Sequence, residues 1–422
     1  MTLEFLQQVR SIDPIAATDQ IVDVLLEQGR LVAIAPQLSI PEGAKVIDGR
    51  GLVWGPGLVD LYSRSGEPGH EERETLSAIA RAGLAGGFTQ LHLLPKTQPA
   101  LDHPAAIEWV HNRVAQLRSI ESLPNIHCWG ALTLNTAGQQ MTELSELAPQ
   151  VVGFGDGGAI ASIALLRRIL EYSQPIAKPL LLWLWNKDLA GTGTMRQGVQ
   201  SLQFGLPGIG VMAETVPLSA LLELLRDSSI PKPKVPIHLM RISNARSIEL
   251  IAQAKAEGLP ITASTTWLHL LLDSTDLASY DPNLRLAAPL GNPSDRQALI
   301  QAVKSGVIDA IAVDHIAYTY EEKTVAFGEA PAGAMGLEFA WAMLWNGLVE
   351  TGQLSAIELW RSLSTQPLNC LGHGTPNQPI ASSFLFDPNL IWTPQSASRL
   401  GQAQNTHLLD HAIQGRVIQA WC

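Results

Sequence analysis

The sequence predicts an α/β fold in which a TIM (β/α)8 barrel stands beside a small β-sandwich-like domain built from both chain ends. Strand-like runs fill residues 1–55, apolar runs of strand length alternate with helical stretches from residue 57 onward, and strand-like runs return after about residue 375. Eight β/α units over about 300 residues are typical of a TIM barrel. The predicted domains are therefore a composite β domain (1–55 with 375–422) and a barrel (56–374).

The two chain ends carry the strand signals of the β domain. Ile21–Glu27 and Leu31–Ala35 are separated by a short turn that contains Gly29, and this arrangement predicts an antiparallel hairpin. Near the other end, Ser382–Phe386 and Gly415–Trp421 are strand-like, whereas the segment between them (387–404) has a loop-like composition. We expect the two ends to pair into one domain.

The barrel region supplies the strands and helices in alternation. The predicted strands are Leu58–Tyr62, Phe88–Leu94, Ile126–Leu134, Val151–Phe154, Leu180–Trp185, Ile237–Ile242, Ile261–Thr266 and Ala310–Asp314. Predicted helices between them include Leu76–Ala85, Ala159–Glu171, Leu218–Arg226, Ser247–Ala256 and Asp295–Lys304. A doubly wound sheet is the alternative, but no G-x-G-x-x-G follows the first strand.

Composition excludes several classes of function. The net charge of -11 disfavours nucleic-acid binding and a basic membrane-surface patch. The three cysteines are far apart and form no C-x-x-C, so neither a disulfide framework nor a thiolate zinc site is expected. The N-terminal stretch lacks the apolar core of a signal peptide, and no apolar run reaches the length of a membrane span. We expect a cytoplasmic protein in a reducing compartment.

The stretch GPGLVDLYSRSGEPG that begins at Gly55 is the most informative segment. It resembles the signature of the dihydroorotase branch of the amidohydrolase superfamily, usually PGLVDxHxHxREPG. The resemblance implies a zinc-dependent hydrolase in which the two histidines bind metal at the carboxyl end of the first barrel strand. In this chain those two positions hold Tyr62 and Arg64.

The same replacement recurs at the other positions where the resemblance implies metal ligands. The family's F-S-D-D-G corresponds to Phe154–Gly158, which puts Gly157 at the position of the metal-bridging aspartate. Trp183 and Arg241 stand where the family has histidines after strands 5 and 6, and Asp314 is the remaining ligand after strand 8. We therefore expect no bound metal and no zinc cofactor, and Asp314 is the only catalytic remnant.

The positions that the resemblance assigns to the substrate have also changed. Gly66 replaces the family's arginine, Lys96 the asparagine of M-P-N-T, Ala287 the asparagine of N-P-P-L, and Tyr318 the histidine that ends D-H-A-P-H. In the family these side chains would hold the carboxylate and ring amides of dihydroorotate. Turn motifs around them persist, including GEPG at 66–69 and APAG at 330–333.

Asp314 needs a positive partner if no metal is present, because a carboxylate at the barrel mouth is costly to desolvate alone. We expect Arg64, Arg241 or both to pair with it, since guanidinium groups match carboxylates in charge and geometry. The alternative is that both arginines point to solvent.

Two further places in the sequence carry side chains that could support a different chemistry. Ser63 or Ser65 with His315 would offer a nucleophile and a base, although no G-x-S-x-G elbow exists. His407 and His411 have a metal-like spacing but lack the glutamate of H-E-x-x-H, so a surface or packing role is the simpler interpretation.

The sequence thus favours a dihydroorotase homologue of the pyrimidine pathway that is non-catalytic, a pseudoenzyme with a structural or regulatory role. The resemblance implies aspartate transcarbamoylase as the first partner to test, and a homo-oligomer is a second arrangement. One alternative is an active dihydroorotase or related cyclic amidohydrolase with a rebuilt site. Another is an anion-binding protein that uses Arg64, Lys96 and Arg241 at the barrel mouth.

Overall fold

The computed structural model describes residues 2–160, 162–229, 233–373, 381–395 and 400–422. Its strands are Leu3–Asp13, Thr18–Glu27, Arg30–Ala35, Lys45–Asp48, Val53–Pro56, Leu58–Ser63, Phe88–Leu93, Asn125–Cys128, Leu180–Leu182, Met195–Arg196, Gly208–Ile209, Ile237–Leu239, Ile261–Thr266, Ala310–Ala312, Ser383–Trp392 and Ile413–Trp421.

The α-helices are Leu76–Ala85, Pro104–Arg118, Leu144–Leu147, Ile163–Ser173, Lys187–Ala190, Val199–Gln203, Met212–Arg226, Ala245–Ala256, Trp267–Leu271, Pro293–Ser305, Tyr320–Lys323, Ala340–Leu344, Ala356–Leu363 and Thr365–Cys370. Short 3-10 helices span Leu134–Thr136, Ala148–Gln150, Ser274–Ser279 and Pro282–Leu284, and a π-helical turn spans Trp345–Val349. No helix in these described ranges is long and apolar enough to cross a membrane.

Parallel strands close into the predicted barrel. Barrel strands 1 to 3 (Leu58–Ser63, Phe88–Leu93, Asn125–Cys128) form one sheet, and barrel strands 5 to 8 (Leu180–Leu182, Ile237–Leu239, Ile261–Thr266, Ala310–Ala312) form another. Phe154 takes the place of strand 4, because it bridges Gly130 on one side and Leu180 on the other. A bridge between Arg64 and Ile316 joins strand 8 back to strand 1. The predicted TIM barrel is confirmed.

Strands from both chain ends share one seven-stranded sheet beside the barrel. Ser383–Trp392 pairs with both Ile413–Trp421 and Val53–Pro56, and the latter continues into Leu3–Asp13. The predicted hairpin is present, with Glu27 opposite Arg30. The loop-like interpretation of residues 387–404 is wrong at its start, because pairing with the last strand keeps the chain extended to residue 392. The domain boundary between residues 374 and 375 lies outside the described residues, and the domain limits stay a prediction.

Local sequence explains where the best-predicted helix begins and ends. The Thr75 hydroxyl accepts a hydrogen bond from the Ala78 N–H, which caps Leu76–Ala85 at its N-terminus. The helix ends at Gly86, where a Cβ would lie 1.8 Å from the Leu337 carbonyl oxygen. The predicted bounds of this helix agree with the structure.

Most barrel strands are shorter than predicted. Strands 3 and 5 end at Cys128 and Leu182 instead of Leu134 and Trp185, and strand 4, predicted at Val151–Phe154, is reduced to the bridges of Phe154. Strand 6 was expected to reach Ile242 and strand 8 to reach Asp314, but the ladders end at Leu239 and Ala312. Arg241 and Asp314 have φ angles of 58° and 53°, in the left-handed region that breaks an extended strand. This turn aims both side chains across the mouth of the barrel.

An aromatic cluster joins the barrel to the sheet made from the chain ends. The ring centroid of Phe384 lies 4.9 Å from that of Trp360 and 5.3 Å from that of Trp341. All three side chains are fully or almost fully buried. The sheet is therefore held on the barrel by the large apolar area that these rings remove from water.

We predict that Phe384→Ala lowers the free energy of unfolding by about 3–5 kcal/mol, because it leaves a cavity among aromatic rings. The matched control is Ile418→Ala on the adjacent strand, where the side chain is 49% exposed and the expected change is within about 1 kcal/mol. The shift of the urea unfolding midpoint measures both. Equal shifts for the two variants would contradict the assignment of this cluster as the junction.

Candidate functional site

The side chains that follow the barrel strands converge at one end of the barrel. Tyr62 and Arg64 lie at the end of strand 1, Arg241 follows strand 6, and Asp314 follows strand 8. Carboxyl ends of parallel barrel strands meet at a common mouth, which is where TIM-barrel enzymes place their chemistry. The structure brings these four residues together with Gly157 and Trp183 through the contacts described next.

The centre of the mouth is a bidentate ion pair between Arg241 and Asp314. Arg241 Nε and Nη2 each donate to one Asp314 carboxylate oxygen at 2.6 Å. Arg241 Nη1 donates to the Gly157 carbonyl oxygen at 2.9 Å. The Arg241 side chain is 1% exposed and that of Asp314 is 13% exposed. This is the pairing expected from the sequence, with the guanidinium occupying both carboxylate oxygens.

Two aromatic rings flank the Arg241 guanidinium. Its Cζ lies 5.0 Å from the Trp183 ring centroid and 5.9 Å from that of Tyr62. A cation over an aromatic face is stabilised by the ring quadrupole, more strongly when water is excluded. Tyr62 and Trp183 thus fill the volume around the guanidinium, as expected from their bulk.

Tyr62 also begins a buried polar chain that runs down the barrel interior. Its Oη accepts the Arg241 N–H at 3.2 Å and shares a hydrogen bond of 2.9 Å with Ser264 Oγ. Ser264 Oγ lies 2.8 Å from His238 Nε2, and His238 Nδ1 lies 2.9 Å from Thr262 Oγ1. Burial lowers the pKa of His238 to about 3, so its imidazole is a neutral core group.

The backbone conformation and the packing at position 157 favour glycine. Its φ is 60°, and a Cβ built there would lie 2.6 Å from Leu94 Cδ1. The carbonyl oxygen of Gly157 accepts from both Arg241 and Arg64. An aspartate at this position would require Leu94 to move, so the packing of Leu94 favours glycine here.

The residues at the mouth do not fit a zinc ion. Zinc in proteins takes imidazole, thiolate or carboxylate donors, whereas this centre offers one carboxylate that is already held by a guanidinium. The nearby Asp156 accepts hydrogen bonds from Leu132 N–H and from the Thr133 N–H and hydroxyl. Within the described ranges no group of three or more His, Cys, Asp or Glu side chains is arranged to hold a metal.

Arg64 does not join the ion pair. Its Nη2 donates to the Gly157 carbonyl oxygen at 3.1 Å, and its Nε is buried without a hydrogen-bond partner among the described residues. Burial and the neighbouring Arg241 charge lower the pKa of Arg64 to about 10. One of the two expected arginine partners of Asp314 is therefore present, and the other faces a cavity.

That cavity has a volume of about 530 Å3 and is lined by Arg64, Gly66, Lys96 and Tyr318. Three of the four positions that the resemblance assigns to the substrate thus share it. Ala287 lies instead on a separate small cavity of about 20 Å3 that Asp314 also lines. The Tyr318 hydroxyl donates to the Ala332 carbonyl oxygen at 3.2 Å.

A serine nucleophile is not assembled by these residues. Ser63 Oγ donates to Asp60 at 2.5 Å, and Ser65 Oγ accepts from the Glu67 N–H at 3.1 Å. The His315 imidazole points to Glu74, with 2.8 Å between Nε2 and Oε2, and both side chains are fully buried. The His315 imidazole is therefore committed to Glu74 rather than to either serine.

Glu74 and Asp60 are site-supporting residues that sequence reasoning missed. Asp60 accepts the Val313 N–H at 2.8 Å and so ties strand 1 to strand 8. Burial raises the pKa of Asp60 to about 7. Its place at the end of the apolar run that begins at Leu58 was the available signal, whereas nothing in the sequence near Glu74 indicated its partner.

The C-terminal histidine pair lies away from the barrel strands. His407 and His411 fall in a turn region before the last strand. His411 Nδ1 lies 2.8 Å from the Leu409 carbonyl oxygen and is exposed. The geometry gives no support to a metal site at this spacing.

Comparison with known proteins places these observations in a family. A family model described as Dihydro-orotase-like matches residues 49–164. The chain is 44% identical to a probable dihydroorotase-like protein from Synechocystis sp., over 98% of each chain. It is 32% identical to a dihydroorotase from Solibacter usitatus, over 92% of this chain and 90% of that one.

A solved structure supports the fold. The L-hydantoinase (dihydropyrimidinase) from Arthrobacter aurescens superposes with a TM-score of 0.81 at 18% identity, over 100% of this chain and 94% of the other. At this level of identity the likeness shows the TIM-barrel amidohydrolase fold with its small β domain and nothing more about activity.

We predict that Asp314→Asn lowers the free energy of unfolding by about 3–5 kcal/mol, because the buried Arg241 charge loses its counter-ion. Asparagine keeps the shape and tolerates the left-handed backbone at this position. The double variant Arg241→Gln/Asp314→Asn should cost less than the sum of the single variants, as measured by denaturant unfolding.

The control for this cycle is Glu249→Gln, which removes an exposed ion pair of 2.6 Å with Arg246. Its expected cost is about 0.5 kcal/mol or less. If Asp314→Asn costs no more than this control, the ion pair does not organise the mouth.

Proposed function

The chain belongs to the dihydroorotase-like family, and from that premise we propose that it is a non-catalytic member with a structural or regulatory role. The observation that carries this proposal is the bidentate Arg241–Asp314 pair at the centre of the mouth. It engages the one carboxylate that remains of the ligand set implied by the family resemblance. A guanidinium fixed on a buried side chain supplies one positive charge but no open coordination position.

The chemistry of hydrolysis gives the reason why this replacement matters. A catalytic zinc ion lowers the pKa of its bound water from 15.7 to about 7 and so provides a nucleophile at neutral pH. Arg241 directs three of its donors to Asp314 and Gly157 and has no group that can take a proton from water. The neutral His238 is 1% exposed below this layer, where it supports Tyr62 through Ser264 instead of meeting solvent.

An active enzyme with a rebuilt site is the competing proposal. It is favoured by the relatives named dihydroorotase, of which the one from Thermoanaerobacter sp. is 34% identical over 94% of this chain. Against it stand the ion pair at the centre and the packing of Leu94 over Gly157. The two proposals predict different zinc contents of the purified chain and different rates of dihydroorotate turnover.

We predict that the purified chain retains zinc far below one ion per molecule and opens the ring of dihydroorotate no faster than buffer does, with or without added zinc. The reason is that the remaining donors cannot complete a zinc site. Elemental analysis and an absorbance assay measure the two quantities, with the Thermoanaerobacter sp. relative as the positive control. Stoichiometric zinc with turnover that is lost in Asp314→Ala would establish the competing proposal.

The role that we propose is that of a subunit in the pyrimidine pathway, with aspartate transcarbamoylase as the partner implied by the family resemblance. The retained frame supports a structural role, because the barrel is closed and the β domain is packed on it through Trp341, Trp360 and Phe384. A homo-oligomer is the simpler assembly that the same experiment detects.

We predict that sedimentation velocity of the chain mixed with aspartate transcarbamoylase from the same organism shows a species heavier than either protein alone. A stable folded barrel offers a surface for assembly even when its mouth is inactive. The chain alone is the control and reports any homo-oligomer. A mixture whose profile equals the sum of the separate profiles would remove this partner from the proposal and leave the absence of catalysis untouched.

A further inference from the structure

We propose that the cavity beside the ion pair binds the oxyanion group of a small metabolite, held between Arg64 and Lys96. The inference rests on the proposed function, because Arg64 stands where the family resemblance places a metal ligand. It differs from the family's way of holding a substrate carboxylate, since the arginine expected for that purpose is Gly66 in this chain.

The cavity has the size and lining of a ligand site. Its volume is about 530 Å3, within the range of about 300–1,000 Å3 that is typical of small-molecule pockets. Arg64 and Lys96 reach it from the ends of barrel strands 1 and 2, and apolar walls come from Pro99, Ala100 and Ile316. A ligand with one anionic group and a compact apolar or planar body matches this combination.

Two other cations near the cavity, Arg73 and Arg241, already have carboxylate partners. Arg73 donates to Glu322 through Nε at 3.0 Å and Nη2 at 2.6 Å. Arg241 is neutralised by Asp314 in the same bidentate manner. Arg64 and Lys96 form no ion pair within the part of the chain that the structure describes. Two positive charges therefore face one cavity without a counter-ion.

The close approach of the Arg64 and Lys96 charges is electrostatically unfavourable. The Arg64 charge is the main reason that the pKa of Lys96 falls to about 8, with a smaller contribution from partial burial. Arg64 itself loses hydration, and its buried Nε has no partner among the described residues. An oxyanion would relieve this repulsion, and charge-assisted hydrogen bonds from Arg64 and Lys96 to it would be stronger than neutral ones.

The positive cavity is a local feature rather than a property of the whole surface. The chain carries a net charge of -11, so most of its surface repels anions. Lys187, on a short helix after barrel strand 5, adds to the positive potential at Lys96. A cleft that is lined by charges of one sign and has low-dielectric walls raises the local concentration of ions of the opposite charge.

Carboxylate and phosphate groups both present anionic oxygens that Arg64 and Lys96 could bind. The test uses one probe of each kind to distinguish them. Malonate and inorganic phosphate are titrated against the full chain at constant ionic strength, with binding followed by calorimetry and by the unfolding temperature. We expect one of the two probes to bind and to raise the unfolding temperature, since a ligand that binds only the folded state stabilises it. Chloride at the same ionic strength serves as the reference.

The variants Lys96→Gln and Arg64→Gln are each expected to weaken binding by about tenfold or more, equivalent to about 1.4 kcal/mol. Lys96 is exposed, so Lys96→Gln should fold normally and keeps the test valid if Arg64→Gln does not. The matched control is Lys304→Gln at the end of the outer helix Pro293–Ser305, which should bind as the parent chain does.

Binding that is unchanged in Lys96→Gln, or no binding of either probe beyond the chloride reference, would overturn the inference. Neither result touches the proposed absence of catalysis, which is decided by zinc content and dihydroorotate turnover. Conversely, a zinc-loaded, active chain would overturn the proposed function even if an anion bound.

Discussion

The rest of the barrel mouth depends on the ion pair between Arg241 and Asp314. A buried guanidinium is costly to desolvate, and it is tolerated only when its charge and donors are met. Here three Arg241 donors bond to the two carboxylate oxygens of Asp314 and to the Gly157 carbonyl oxygen. The Trp183 ring packs against the face of the guanidinium. The backbone contributes as well, because left-handed conformations at Arg241 and Asp314 turn the two side chains toward each other.

The neighbouring replacements are consistent with this pair and with one another. The Tyr62 hydroxyl accepts the Arg241 N–H, and Ser264 and His238 extend the same buried chain. Leu94 occupies the space that a side chain at Gly157 would need. Restoring one ligand alone would therefore leave an unpaired charge or a steric overlap. The site is a coupled set, and its members are stable only together.

The sequence predicted those features that are set by local pattern and by strand order. The helix Leu76–Ala85 lies where the sequence predicts it, and the pairing of Arg241 with Asp314 was expected from their places after barrel strands 6 and 8. Features that depend on contacts between distant segments were not predictable. Glu74 and His315 are 241 residues apart, and the contact of Leu94 with Gly157 requires the closed barrel. The left-handed turns after strands 6 and 8 also fall on non-glycine residues, where sequence gives no warning.

The proposed replacement of a metal ion by the Arg241 guanidinium would change the electrostatics of the whole mouth. A metal ion with carboxylate and imidazole ligands concentrates positive charge at one exchangeable point. In this chain the positive charge is divided between Arg241, which Asp314 neutralises, and Arg64, whose side chain bonds only to the Gly157 carbonyl oxygen among the described residues. The uncompensated charge is therefore displaced from the centre of the barrel toward the cavity shared with Lys96. Under the proposed function, the mouth would attract anions without a metal ion to activate water.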